Sequence, residues 1–441
     1  MRVWVKSLGC KVNLADAARA LEGLDGSRLQ VVAEPGDAQI ALLHTCTVTH
    51  KADRDVRKSL GGLLRDHPDL PVIVAGCAVV TAGESLRALP NVRAVLRPGD
   101  PAAVARALAE VVGEELPADP GRGGFRQLGR RRAVLKVQDG CDAGCAYCVI
   151  PRVRGPERSA PLSGVLAEAL RLADEGHREV VLTGIHLGRW GRGLSPRQGL
   201  AELVTRVAEA LAERRPACRL RLSSIEPMEW SDELIEALDR SPNVCRHFHV
   251  PLQSGADAVL AAMGRPYTAS RYAETLARLR ARFPDAALGA DVLAGLPGEG
   301  APEARATRAL LASSPLDYLH VFTYSARPGT RASTRSDRPD PADVRARAED
   351  LRALGRERWQ AFLRAGLARR HQVLVEERCA VGLRGRTQHY RPVVLQPAAG
   401  AAPLDDGLLG DLVEADAVAL QGNALRAQQA EGGRAASCRP A

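Results

Sequence analysis

A chain of 441 residues exceeds one ordinary domain and predicts two to four. With 45% hydrophobic and 26% charged residues it is composed like a globular protein, and it has no uninterrupted apolar stretch long enough to span a bilayer. A net charge of +9, carried mostly by Arg, agrees with a polyanionic partner such as RNA, while 3% aromatics argue against a binder that stacks many bases.

The chain opens on MRVWVKSLGCKVN, which lacks the apolar core of a signal peptide, so a cytoplasmic location with reduced cysteines is expected. Apolar runs at Val3–Lys6, Ile40–Leu43, Val72–Ala75 and, weaker, Ala94–Leu96 alternate with helical patterns at Ala15–Leu24, Asp53–Arg65 and Pro101–Val112. That alternation reads as a parallel α/β sheet domain over residues 1–115. Residues 116–132 are rich in Pro, Gly and Arg and read as a linker or basic surface loop. Strand candidates then follow at Val134–Val137, Glu179–Thr183, Arg219–Ser223, His247–Val250, Leu288–Leu293 and Tyr318–Tyr324. Helical patterns separate most of them, at Leu162–Asp174, Gln198–Arg214, Asp232–Asp239 and Ser270–Arg282. Six βα units within residues 133–370 predict a partial, open α/β barrel with its active site at the carboxyl ends of the strands. Pro339–Arg370 predicts one or two helices packing back on it. Residues 371–432 read as a small β-barrel, and the polar tail from Gln428 as disordered.

Cys141, Cys145 and Cys148 stand in QDGCDAGCAYCVIPRVRG, directly after the first barrel strand. Iron–sulfur clusters usually take four cysteines, so three leave one iron open to a small molecule; a zinc knuckle or three buried thiols is the alternative. Cys10, Cys46 and Cys77 each follow an apolar run, in VWVKSLGC, IALLHTC and VIVAGC. If those runs are parallel strands, the three thiols share a sheet edge and form a second open-iron site; ordinary buried cysteines are again the alternative. Gly9 and Gly76 would allow tight turns beside a bulky ligand. Cys218, Cys245, Cys379 and Cys438 show no such pattern and read as packing or surface thiols.

The loop CDAGCAYCVIPRVRG resembles the radical S-adenosylmethionine signature, and the second triad resembles the amino-terminal domain of methylthiotransferases. In that family the carboxyl-terminal barrel is an RNA-binding TRAM domain, and GLRGRTQHYRPVVL looks like a divergent copy. The strings SLGCKVN, TCTVTHKAD, LTGIHLG, RLSSIEP and HFHVPLQSG look most like the subfamily acting on N6-threonylcarbamoyladenosine in tRNA. Relatives that modify isopentenyladenosine, or a ribosomal-protein aspartate, are the alternatives. His44 in place of the family's Asn, the helix start LADAARALE and the shifted DVLAGLPGE depart from the pattern without touching a cluster ligand.

The resemblance implies two 4Fe–4S clusters and S-adenosylmethionine. Cys141, Cys145 and Cys148 would serve the cluster that cleaves S-adenosylmethionine to a 5′-deoxyadenosyl radical, which takes hydrogen from C2 of the adenine. Cys10, Cys46 and Cys77 would hold the cluster that presents sulfur. It also implies tRNA, a flavodoxin- or ferredoxin-type electron donor and a sulfur source as partners, no membrane, and a monomer. Tyr147 is a candidate for the adenine of the cofactor or for packing against the barrel. Gly184, Glu226, Gln253 and Asp291, at or just beyond strand ends, are candidates for holding ribose, methionine or substrate. Arg152, Arg154 and Arg158 are expected near the mouth, pairing with carboxylates or phosphates or simply solvated, and Arg122, Arg126 and Arg130–Arg132 invite a tRNA-backbone reading. A non-catalytic iron–sulfur RNA-binding protein is the rival from another class.

Overall fold

Nine elements build the amino-terminal unit: β1 (Arg2–Ser7), α1 (Lys11–Glu22), β2 (Gln30–Val32), β3 (Ile40–Thr45), α2 (His50–Asp66), β4 (Val72–Gly76), α3 (Ala78–Arg87), β5 (Val92–Leu96) and α4 (Pro101–Val112). These assignments come from a computed structural model, which describes residues 1–24, 29–113, 115–117, 122–397 and 403–434. The five strands are parallel, in the order β2-β1-β3-β4-β5. Strands β3 and β4 are buried on both faces, as a sheet covered by helices on each side requires. Leu21 and Leu108, from α1 and α4, fill one face, while Val56, Leu60 and Val79, from α2 and α3, fill the other. Helix α3 escapes sequence reading because VIVAGCAVV runs from strand into helix without a polar break.

Residues 116–132 are more than a surface loop. A short helix, α5 (Gly124–Gln127), buries Phe125, whose ring meets His177 edge-on at 6.1 Å. Gly124 lies so close to α1 that a Cβ there would stand 2.3 Å from the Ala18 carbonyl oxygen. The linker therefore packs α1 onto the central unit; its residues 118–121 lie outside the described part.

The central unit contains β6 (Ala133–Lys136), β7 (Gln138–Asp139), α6 (Ile150–Arg154), β8 (Arg158–Ser159), α7 (Leu162–Asp174), β9 (Glu179–Thr183), α8 (Leu200–Arg214), β10 (Arg219–Leu222), α9 (Asp232–Arg240), β11 (His247–His249), α10 (Asp257–Ala262), α11 (Ala269–Arg282), β12 (Ala287–Ala294), α12 (Ala301–Ser313) and β13 (Tyr318–Thr323). The six expected strands form two parallel sheets, β6-β9-β10 and β11-β12-β13. A single bridge, Leu220 to Val244, joins them into an open barrel. One unbroken helix, α13 (Pro341–Arg364), then leads to a closed barrel of β14 (Arg370–Cys379), β15 (Gly382–Thr387), β16 (Pro392–Leu395), β17 (Leu412–Gln421) and β18 (Ala424–Arg434). The expectation of a disordered tail from Gln428 is corrected: Gln428 and Gln429 pair with Asp416 and Ala415 in β18. Backbone pairing with β17 orders a stretch whose side chains are polar. Cys438 lies outside the described residues.

The small barrel closes the floor of the central one. Glu179, Arg219, His247 and Tyr318 each begin a central strand. Glu179 is fully buried and accepts from Arg219 and Arg221, at 2.7 Å each. Burial alone would raise its pKa, but Arg221 and Arg219 hold it well below the usual carboxylate range. The same two arginines donate to the Arg386, Thr387 and Gln388 carbonyls of the small barrel. Tyr390, at φ +67°, stacks on His247 at 4.4 Å. Arg132 pairs with Glu376 at 2.6 Å and stands over the Tyr390 ring, so it clamps two units together instead of facing RNA. Among the described residues no helix is long and apolar enough to cross a membrane.

Candidate functional site

Strand β6 delivers the chain to a loop whose root is fastened by the antiparallel pair β7–β8. Gly140 (φ +70°) turns the chain there, where a Cβ would come within 1.9 Å of the Pro156 oxygen. Backbone bonds fix the loop from both sides: Ala146 N–H donates to the Met263 oxygen (2.9 Å), and Ala332 N–H to the Ala146 oxygen (2.8 Å). Cys141, Cys145 and Cys148 project from this loop as free thiols. Donors face the sulfurs: Ala143 N–H reaches Cys141 Sγ at 3.4 Å, and Arg265 Nη1 reaches Cys145 Sγ at 3.2 Å. His186 Nδ1 lies 3.5 Å from Cys141 Sγ. Burial pushes the Cys148 thiol up to about 12, so it ionises only against a compensating positive centre. Three converging sulfurs, N–H donors and a guanidinium fit a cluster held by three thiolates.

The other expected site residues fall around this loop unevenly. Glu226 pairs directly with Arg265, the cation at Cys145. The Tyr147 ring packs with Ala146, Val259 and Met263; burial raises its phenol well above the ordinary range, against Arg265. Gly184 leaves room for Gln138, whose Cβ and Oε1 would each lie 2.9 Å from an added Cβ. Gln138 in turn accepts from His186 N–H at 2.8 Å and donates to the Gly140 oxygen at 2.8 Å, tying the β9 end to the loop root. Gln253 adopts φ +69°, rare outside glycine, and its backbone pairs with Asp291 and Leu293. Asp291 lies within β12, not beyond its end, and its carboxylate faces His249 and His320 at 3.2 Å each. Arg265 and His186 are absent from the sequence candidates. Neither lies in a cysteine motif, and only the barrel topology brings them to the sulfurs.

Cys10, Cys46 and Cys77 do meet at the carboxyl edge of the first sheet. Each follows its strand, β1, β3 or β4, and Cys10 and Cys77 also cap the amino ends of α1 and α3. Helix amino-termini favour thiolates. Gly9 (φ +107°) would place a Cβ 3.0 Å from Cys46 Sγ, and Gly76 (φ +101°) one 2.5 Å from the Thr45 oxygen, so both turns need glycine. Burial drives the Cys77 thiol up to about 12, with Arg154 opposing and Cys10 and Cys46 adding to the rise. This donor set fits a second three-thiolate cluster by the same chemistry.

Helix α6 links the loop triad to the strand-end triad. It leaves the loop just after Cys148, and Val149 and Val153 pack against Cys77. Arg154, expected near the mouth, is buried. It donates to Asp139 (2.9 and 3.0 Å), Asp16 (3.3 Å) and Asn13 Oδ1 (2.5 Å), and Asp16 also pairs with Lys136. Arg152 donates to the Pro328 oxygen at 2.8 Å. In the same loop after β13, next to Pro328, Arg327 binds Asp53 (2.7 Å) and Thr47 (2.8 Å). The amino-terminal unit thus roofs the carboxyl ends of the central strands.

Residues 2–97 match the family described as "Uncharacterized protein family UPF0004", and residues 135–311 match the Radical SAM superfamily. A tRNA-2-methylthio-N(6)-dimethylallyladenosine synthase of Cereibacter sphaeroides is 34% identical over 97% of this chain and 98% of its own. The enzyme of the same name from Sphingopyxis alaskensis is 34% identical over 85% and 86%. Among solved structures, the radical S-adenosylmethionine methyltransferase TsrM from Kitasatospora setae shares the fold (TM-score 0.55, 16% identity, 75% and 76% covered). The cobalamin-dependent radical enzyme OxsB does so with TM-score 0.51, 11% identity, and 81% and 56% covered. The relatives correct the substrate expectation: they are named for dimethylallyladenosine, not N6-threonylcarbamoyladenosine. Two of the strings behind that expectation, SLGCKVN and TCTVTHKAD, serve the scaffold. Asn13 of SLGCKVN binds the Leu8 and Thr45 carbonyls, and within TCTVT Thr45 binds the Ala75 oxygen, Thr47 binds Asp53 and Thr49 caps α2.

Proposed function

Because the chain belongs to the radical S-adenosylmethionine methylthiotransferases, which transfer a methylthio group, we propose that it acts at C2 of N6-dimethylallyladenosine in tRNA. Membership brings S-adenosylmethionine and one 4Fe–4S cluster; a second cluster is part of the proposal. The observation that carries the reading is the pairing of two three-thiol centres across one short helix, α6. The substrate base comes from the relatives' names and from their match over nearly the whole chain. When bound, the clusters and S-adenosylmethionine supply the hydrogen abstraction and sulfur delivery that side chains cannot perform.

This chain's own residues then have defined tasks. Cys141, Cys145 and Cys148 hold the cluster that engages S-adenosylmethionine. Arg265 neutralises charge at Cys145, and Glu226 fixes Arg265. Cys10, Cys46 and Cys77 hold the second cluster, beneath which Arg154 offsets thiolate charge. Gly184 and Gln138 set the separation between the loop root and the β9 end. The reading includes tRNA as partner, a flavodoxin- or ferredoxin-type electron donor, a sulfur source, a monomer and the cytoplasm. Nucleoside mass spectrometry of tRNA from a deletion strain tests it. The 2-methylthio-N6-dimethylallyladenosine signal should vanish, with N6-dimethylallyladenosine accumulating, and return with the wild-type gene. An undiminished signal overturns the substrate.

A further inference from the structure

The interior of the central barrel holds a third cluster of ligating side chains, separate from the six cysteines. His249, Asp291 and His320 sit on β11, β12 and β13, three adjacent parallel strands. Asp291 pairs in register with His320, and His249 with Gly289, two residues before Asp291. A strand period of two therefore puts all three on one face. Three neighbouring strands also make a rigid mount.

The distances are those of a coordination sphere. Asp291 Oδ1 lies 3.2 Å from His249 Nε2 and 3.2 Å from His320 Nδ1. The three ligand atoms all fall within 4.8 Å of one another. Metal–ligand bonds of about 2.0–2.1 Å at tetrahedral angles separate ligand atoms by about 3.3 Å. His249 is held through its other ring nitrogen: Ser224 Oγ stands 2.7 Å from Nδ1. That is how a metal-bound histidine is oriented by its outer neighbour. Its side chain is 8% exposed, and its Nε2 stands 3.2 Å from the carboxylate oxygen without the alignment of a hydrogen bond. A proton on Nε2 or a metal ion bound to both atoms can bridge that gap.

We propose that His249, Asp291 and His320 bind one divalent first-row transition-metal ion through two imidazole nitrogens and one carboxylate oxygen. Two histidines and a carboxylate suit zinc or ferrous iron better than magnesium or calcium. Three protein ligands leave at least one position open, and the half-exposed His320 puts that position on the solvent side. An open position is the mark of a site that binds a water or a substrate heteroatom, where a structural site is closed.

The test is metal stoichiometry, which does not depend on the tRNA substrate. Anaerobically reconstituted enzyme is treated with EDTA, desalted and titrated with zinc against a chromophoric chelator, with iron and zinc read by mass spectrometry on each sample. Wild type should take up one zinc per chain with its iron unchanged. Asp291→Asn and His320→Gln should each weaken that binding by at least about tenfold, again with unchanged iron, and Ser224→Ala by about 10–100-fold. His320 is exposed enough that its replacement leaves the fold intact. No zinc uptake by wild type overturns the proposal. So does zinc that persists in both Asp291→Asn and His320→Gln, or that enters only as iron leaves, since it would then sit on cysteines.

Discussion

The two cysteine triads are assembled by opposite routes. Cys141, Cys145 and Cys148 lie within one loop of eight residues, positioned by Gly140, two backbone bonds and a β7–β8 clasp. Cys10, Cys46 and Cys77 come from three strands and converge only once the first sheet is paired in register. The first triad is a property of a segment, and the second is a property of a fold. Surroundings differ accordingly. Arg265 donates directly to a sulfur of the local triad, whereas Arg154 serves the distributed triad from within an ion network that also joins two units.

The sharpest way to break this comparison is to remove each triad in turn. Replacing Cys141, Cys145 and Cys148 by Ala should abolish both 5′-deoxyadenosine formation and methylthiolation. Replacing Cys10, Cys46 and Cys77 should abolish methylthiolation while S-adenosylmethionine cleavage persists, and either triple variant should lower iron from about eight to about four per chain. If cleavage disappears in both, the two centres do not divide the work. Next in size is Arg154→Met. It leaves Asp16 and Asp139 buried with Lys136 as their remaining cation, and should cost about 3–5 kcal/mol in denaturant unfolding.

Acid should loosen the link between the two regions. Burial lowers His177 to about 4 from its ordinary 6.5, and its Nδ1 bonds the Arg131 oxygen at 3.1 Å while Phe125 of α5 packs on its ring. The unfolded chain therefore takes up a proton that the folded chain refuses. Stability from this group is full above pH 6.5 and is lost as pH falls toward 4, by up to about 3 kcal/mol. His177→Gln, which keeps a donor for Arg131, should flatten that part of the pH–stability curve. The smallest effect belongs to Gly76→Ala. A left-handed turn against the Thr45 carbonyl should cost about 1–3 kcal/mol and lower iron at the distributed triad alone.

Legibility in the sequence divides along the same line. The local triad is readable from spacing, and strands such as Glu179–Thr183 and helices such as Leu162–Asp174 and Pro101–Val112 from period. The distributed triad is readable only as three matching strand ends; their convergence needs the sheet order. Arg154 reads as a mouth residue because it stands between Arg152 and Arg158 just after the cysteine loop, while its partners Asn13 and Asp16 stand more than a hundred residues away. Strand β18 escapes because its order comes from pairing with β17 and the sequence there lacks an apolar alternation. The substrate is misread because threonines that cap helices and brace strands look like marks of what the enzyme modifies.

Helix α6 is five residues long, and Val153 within it and Val149 just before it pack against Cys77. Under the proposed function it is a spacer of fixed length between the two centres. In the proposed reaction the same carbon must lose hydrogen at one centre and receive sulfur from the other. A rigid gap lets the base be served twice without being released and rebound. One residue inserted into α6 ahead of Val153 would turn that side chain by about 100° relative to Val149 and lengthen the helix by about 1.5 Å. The gap, more than either cluster site, would then be out of gauge.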